Sequence, residues 1–166
     1  MVNIRRLFRH FFSTPLLARR YFSDIVMHHI EAAIRQSESG HSGQIRFVVE
    51  AALHPLEIIR GRTPRQRARE LFASLGIWDT AHNNGVLIYL LLADRDVEIV
   101  ADRGIHGHVG SQGWEAICHE METAFRQGQF ETGVLLGIQQ INKVLQQHFP
   151  ATGANENELP DAPLVL

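Results

Sequence analysis

The segment VLIYLLLA, residues 86–93, is apolar on both faces that an extended chain presents, and it stands between NNG and DRD. A run this short, bounded by turn formers, reads as a strand covered on both sides, which demands packed layers above and below a sheet. Upstream, QIRFVVE alternates Ile45, Phe47 and Val49 against Arg46, Val48 and Glu50, the period of a half-buried strand. Between the two, RTPRQRARELFASLGI opens on a threonine cap with proline at the first helical position. It carries Ala68, Leu71, Phe72 and Leu75 on one face and stops at Gly76. Strand, helix, strand predicts a parallel pair with a right-handed crossover. DVEIVAD then pairs antiparallel with the central strand across a tight turn at Asp94-Arg95, so the sheet is mixed. The expected register sets Ala93 opposite Asp96, Leu90 opposite Ile99, Leu87 opposite Asp102 and Gly85 opposite Gly104.

The tripeptide Ala-Asp-Arg occurs at both ends of this third strand, at residues 93–95 and 101–103. At ~3.3 Å per residue the two copies lie roughly 25 Å apart and cannot share a site. The first marks a hydrated turn, where Asp94 and Arg95 are structural. The second sits at the open end of the hairpin, beside the loop that supplies Asp79, Asn83 and Asn84.

The helices follow from periodicity. FSDIVMHHIEAAIRQSE places Ile25, Val26, His29, Ile30, Ala33 and Ile34 at helical spacing behind Ser23 as N-cap. Two amphipathic helices close the chain, from about Gly113 to Gln127 and from about Phe130 to His148. The final segment, residues 150–166, is polar with Pro160 and Pro163, and is expected to be a flexible tail whose last apolar residues have the option of docking. One domain of 23–149 is thus flanked by a basic N-terminal segment, 1–22, and this tail.

A formal charge of -2 over 166 residues gives no general field to draw nucleic acid. The only cysteine, Cys118, excludes an internal disulfide, no disulfide-linked partner is expected, and inside WEAICHEM the thiol packs as a small hydrophobe. No apolar run reaches the ~20 residues of a spanning helix, and no signal peptide is recognised, which leads to an expectation of a cytoplasmic protein, peripheral to a membrane. The opening MVNIRRLFRHFFSTPLLARRYF holds Arg5, Arg6, Arg9, Arg19 and Arg20 with no acid before Asp24, and interleaves Phe8, Phe11 and Phe12. Two readings stay open: a helix laid on its own domain, or contact with an anionic membrane surface or a membrane-associated acidic partner. The arginines of residues 57–69 present a second basic face of the same kind.

Two candidate sites emerge. Asp79, Asn83, Asn84, Asp102, Arg103 and His106 converge at the open end of the hairpin, where a hard divalent cation, calcium or magnesium, would find carboxylate and amide oxygens; Asp79 and Asp102 are the expected metal ligands. The alternative is that Asn83 and Asn84 shape the strand entry while Asp102 pairs with Arg103. The second site is the carboxyl end of the parallel strands, where Glu50, His54 and Asp94 gather and open α/β sheets bind ligands. His106 and His108, alternating on an extended segment, form a weaker transition-metal pair.

Through NNGVLIYLLLADRDVEIVADRGI the chain resembles the TPM domain family, and the likeness extends over residues 25–149: Glu38, His41-Ser42-Gly43, the strand Gln44 to Val49, Ala68 and Phe72, then Trp114, Phe125, Arg126 and Gly128. The resemblance implies a three-layer α/β/α sandwich, a divalent ion in some members and weak acid phosphatase activity; many bacterial members have no assigned reaction. This sequence departs from the family pattern at Asn83, Asp102 and His106. It contains neither a Cys-x5-Arg loop nor an Asp-x-Asp pair. The expectation is therefore a noncatalytic protein-interaction domain acting at or near a membrane, with the option of binding a divalent ion, and a metal-dependent acid phosphatase of phosphate monoesters is the alternative.

Overall fold

A computed structural model describes residues 4–153 and 156–166. A four-stranded sheet of order β3-β2-β1-β4 is built from β1 (Gln44–Glu50), β2 (Gly85–Leu91), β3 (Asp96–Ala101) and β4 (Leu164–Val165). β1 and β2 run parallel, β2 and β3 antiparallel. Every residue of β2 is buried, as its two apolar faces require.

One face of the sheet, with Phe47, Ile88 and Ile99, packs on α2 (Pro15–Tyr21), α3 (Asp24–Glu38), α6 (Arg103–Arg126) and α7 (Phe130–His148). The other, with Val48, Leu87 and Tyr89, packs on α4 (Pro55–Ile59), α5 (Pro64–Ser74) and Leu7 of α1 (Ile4–Phe12). The result is the expected three-layer α/β/α sandwich around a mixed sheet. The caps follow the sequence: Ser23 accepts from the Val26 amide, and Thr63 forms a capping box with Gln66 ahead of Pro64.

Four local expectations are corrected. The β2–β3 register pairs Leu91 with Asp96, Leu90 with Val97 and Ile88 with Ile99, two residues away from the expected one. The cause is a longer turn. Leu92 and Ala93 donate to the Glu50 and Ala51 carbonyls and so remain tied to the β1 side, while Asp94 and Arg95 donate back to Leu91 and Leu92. A slip of two, unlike a slip of one, leaves every side chain on its own face, so the core is unchanged. Arg95 closes this turn at φ +52°, a left-handed conformation that costs a non-glycine residue about 1 kcal/mol.

The helix expected from Gly113 is preceded by a further helical stretch from Arg103, whose first turn the Asp102 carboxylate caps, and the two meet at a break at Gly110, whose φ of +70° is not helical. His106 and His108 are therefore helical, and His108 stacks on His148 at 4.4 Å instead of sharing a metal face with His106. Within the segment read as a flexible tail, the described residues 156–166 dock: the Glu158 and Leu159 amides both donate 3.0 Å to the Gln44 side-chain oxygen, and Leu164–Val165 add β4 to β1. The docking rests on backbone pairing, on buried Leu159 and on side chains of Gln44, Arg46 and Arg35 that lie far off in the chain, which composition does not reveal.

Candidate functional site

At the carboxyl ends of the parallel strands, the two acids expected to form a site are both held in internal ion pairs. Arg67 grips Glu50 through Nε at 2.9 Å and Nη2 at 3.1 Å, and the Tyr89 hydroxyl donates to the same carboxylate at 2.7 Å. Burial and the adjacent carboxylate push the Tyr89 hydroxyl above its ordinary range. Asp94, read as a hydrated turn residue, has a side chain only 9% exposed and meets Arg6 Nε at 2.8 Å, Arg9 Nη2 at 3.0 Å and His10 Nε2 at 3.2 Å. Burial opposes its charge, but hydrogen bonds from His10 and Arg6 and the positive charge of Arg6 prevail and hold the carboxyl below the usual range. His54 serves α4 instead: its Nδ1 accepts from the Leu56 amide while Glu57 accepts from its own amide.

The opposite corner is assembled only in part. Asn84 is fully buried; its amide donates to Thr80 Oγ1, its side-chain nitrogen to Ser42 Oγ, and its Oδ1 has no hydrogen-bond partner among the described residues. Asp102 is 7% exposed; Oδ1 accepts from the Arg103 amide at 2.6 Å, and Oδ2 likewise has no hydrogen-bond partner among the described residues. Arg103 is exposed and touches Asp102 through its backbone, so the expected Asp102–Arg103 ion pair does not form. Asn83 is a backbone element: at φ +51° its carbonyl receives the Ile105 amide, and a Cβ on Gly104 would stand 2.5 Å from that oxygen, which is why glycine is required there. Asp79 is exposed in the preceding loop.

Two inward oxygens fall well short of the 6–8 that calcium takes. Among the described residues no three His, Cys, Asp or Glu side chains are placed to hold a metal ion. The donor set at this corner does not fit a complete divalent-cation site.

His106 lines a different feature, a groove of about 480 Å³ along β3 between α5 and α6. Arg65 and Arg69 form one wall, Glu115, Cys118, His119 and Glu122 the other, with Asp96 and Glu98 on its floor. Burial first, then Glu98 and Glu122, push the Asp96 carboxyl up to about 7. Burial drives the Cys118 thiol to about 12, so it is no nucleophile at neutral pH. The alternating acids Asp96 and Glu98 were the available sequence signal for this groove, obscured because a solvated strand face has the same pattern.

The surface that departs most from ordinary packing is the N-terminal one. α1 turns Ile4, Phe8, Phe11 and Phe12 outward, 59–74% exposed, and buries His10 at 4%. Leu16 of α2 continues the apolar surface at 77% exposure. A helix on a soluble domain ordinarily buries its apolar stripe; this one is inverted, its inner face tied down by Asp94, by the Leu53 amide donating to His10 Nδ1 and by Arg6 donating to the Arg62 carbonyl. Arg5, Arg9, Arg19 and Arg20 are exposed around the aromatic surface. Among the described residues no helix is long and apolar enough to cross a membrane.

Comparison with known proteins agrees with this architecture. The solution structure of the BA42 protein from the psychrophilic bacterium Bizionia argentinensis superposes with a TM-score of 0.76 at 28% identity, covering 87% of this chain and 94% of that one. The solution structure of the N-terminal domain of a protein from P. gingivalis shares the fold, with a TM-score of 0.62 and 21% identity, covering 79% of this chain and 82% of that one. No curated protein sequence matches this chain. The family model described as the TPM domain matches residues 19–144, most of the chain, and the protein belongs to the TPM domain family.

Proposed function

We propose that this chain is a noncatalytic TPM-type interaction domain that works on an anionic membrane surface, presented to it by α1 and α2. The observation that carries the reading is the inverted helix: Phe8, Phe11 and Phe12 face outward while Arg6 and His10 are turned inward on Asp94. Burying such rings in the headgroup boundary stabilises by about 1.5–3 kcal/mol each at full burial. Each exposed arginine adds about 1 kcal/mol near an acidic leaflet. A second copy of the chain is a poor partner for the same patch, because Arg5, Arg9, Arg19 and Arg20 of both copies would be crowded together.

Flotation with vesicles of phosphatidylcholine, with and without phosphatidylglycerol, tests the reading. Wild-type protein is expected to float with the anionic vesicles alone, and the triple variant Phe8→Ser, Phe11→Ser, Phe12→Ser to stay below. Wild-type protein left in the soluble fraction sinks the proposal. Deleting residues 1–22 is the weaker test, since it also strips Asp94 of its partners. The alternative, a metal-dependent phosphatase, would draw its ion from Asp102 and Asn84 and gains no support from so small a donor set.

A further inference from the structure

Opening on the membrane-facing surface, and resting on that reading, a cavity of about 560 Å³ lies between α1, α2 and the β2–β3 turn. Phe8, Phe12, Leu17 and Tyr21 wall it with apolar surface, and Arg9 and Arg95 stand at it with positive charge. The two arginines are not equivalent. Arg9 gives one amino group to Asp94, whereas the Arg95 guanidinium has no hydrogen bond or ion pair among the described residues. Arg95 also occupies the left-handed conformation, φ +52°, that glycine or asparagine would hold with less strain. An arginine kept in a strained turn, unpaired, at the mouth of an aromatic cavity is positioned for a ligand and not for its own fold. Among the described residues no carboxylate lines the cavity to compete for it.

We infer that this cavity binds one anionic amphiphile, an alkyl chain bearing a phosphate, with the head on Arg95 and Arg9 and the chain along Phe8, Phe12, Leu17 and Tyr21. A guanidinium fork matches phosphate oxygens in a bidentate fashion, and the apolar walls take the chain. The head group belongs either to a bilayer phospholipid or to a free alkyl phosphate.

The experiment follows amide chemical shifts of full-length protein titrated with dodecyl phosphate below its micelle concentration, with inorganic phosphate, and with a neutral dodecyl maltoside. Dodecyl phosphate is expected to shift residues 92–95 and Tyr21, and Arg95→Gly to weaken its binding by at least about tenfold without lowering the melting temperature, since glycine relieves the turn. Inorganic phosphate alone shifts none of these. Dodecyl phosphate binding that is unchanged in Arg95→Gly, or matched by the maltoside, overturns the inference. Flotation of Arg95→Gly separates the two sources: reduced flotation on phosphatidylglycerol vesicles assigns the site to bilayer lipid, and unchanged flotation beside lost dodecyl phosphate binding assigns it to the free amphiphile. Phe11→Ser with Leu16→Ser, both outside the cavity, is expected to abolish flotation and leave dodecyl phosphate binding intact, so failure of the membrane reading and failure of the cavity are read separately.

Discussion

Arg6 and Asp94, 88 positions apart in the chain, meet at 2.8 Å in a contact where the arginine side chain is 16% exposed and the carboxylate 9%. This pair, joined by His10, makes the N-terminal helices part of the folded domain and fixes which face of α1 looks outward. It also holds Asp94 in an internal ion pair at the strand ends where an α/β sheet ordinarily admits ligands.

Replacing Asp94 by asparagine leaves Arg6 and His10 facing a neutral group. Because Arg9 is more than half exposed and Arg6 partly so, the expected loss is about 1–3 kcal/mol, below the value for a fully buried pair. Urea unfolding measures it, and hydrogen exchange should show residues 4–12 losing protection first. The pH dependence has a definite sign. The folded Asp94 pKa is depressed, so its contribution is fully present above the ordinary aspartate value of about 3.9 and disappears as pH falls below that through the folded value. Asp94→Asn removes this acid-side slope.

Asp96 behaves oppositely. Its carboxyl is raised to about 7 by burial and by Glu98 and Glu122, so ionising it costs more in the folded protein than in the unfolded chain. Its destabilising effect is absent below about pH 4 and develops as pH rises toward the folded value. Asp96→Asn is expected to stabilise at pH 8 by about 1–3 kcal/mol, discounted for its partial exposure, and to change little at pH 4. Denaturant midpoints at the two pH values check this; equal effects at both would show that Asp96 ionises normally.

These two aspartates also show what the sequence made legible. The strand VLIYLLLA, the crossover helix behind Thr63-Pro64 and the closing helix Phe130–His148 could be read directly, because each is specified by local periodicity and caps. The role of Asp94 could not, since its partners lie in α1 and nothing local distinguishes a hydrated turn acid from a buried anchor. Likewise the pattern of Phe8, Phe11 and Phe12 reveals that α1 has two faces, but only tertiary contact decides which one is turned inward. At the hairpin's open end, Asp102 and Asn84 could be read as oxygen donors but not as buried ones, and Asp79, close to Asn83 in sequence, is left in solvent by the loop between them.

The C-terminal segment carries a prediction of its own. Leu159 is 9% exposed and packs with Val48, Leu87 and Tyr89 in the second core. Arg46 donates to the Pro160 and Ala162 carbonyls, and Arg35 pairs with Asp161 at 3.2 Å. Leu159→Ala should cost about 2 kcal/mol, at the low end for a buried leucine because the site lies at the rim of the core. Thermal unfolding measures the cost, and exchange of the Val48–Glu50 amides reports whether β4 leaves β1. A variant as stable as the wild type would mean that the Leu159 side chain contributes no net stability.

At the second Ala-Asp-Arg copy, Asp102 has two separable roles. Its Oδ1 caps α6 through the Arg103 amide, while Oδ2 is buried without a hydrogen-bond partner among the described residues. Asparagine preserves a capping oxygen and removes the charge; alanine removes both. Asp102→Ala is therefore expected to lose about 1 kcal/mol of stability and Asp102→Asn less than half of that. Because the corner offers two inward oxygens against the 6–8 of a calcium sphere, calcium titration of the wild type should leave the amides of residues 84 and 102–106 in place. Saturable shifts there, absent from Asp102→Asn, would establish a cation site and restore the phosphatase alternative, since the ion would then have to recruit Asp79 by closing the loop over the corner.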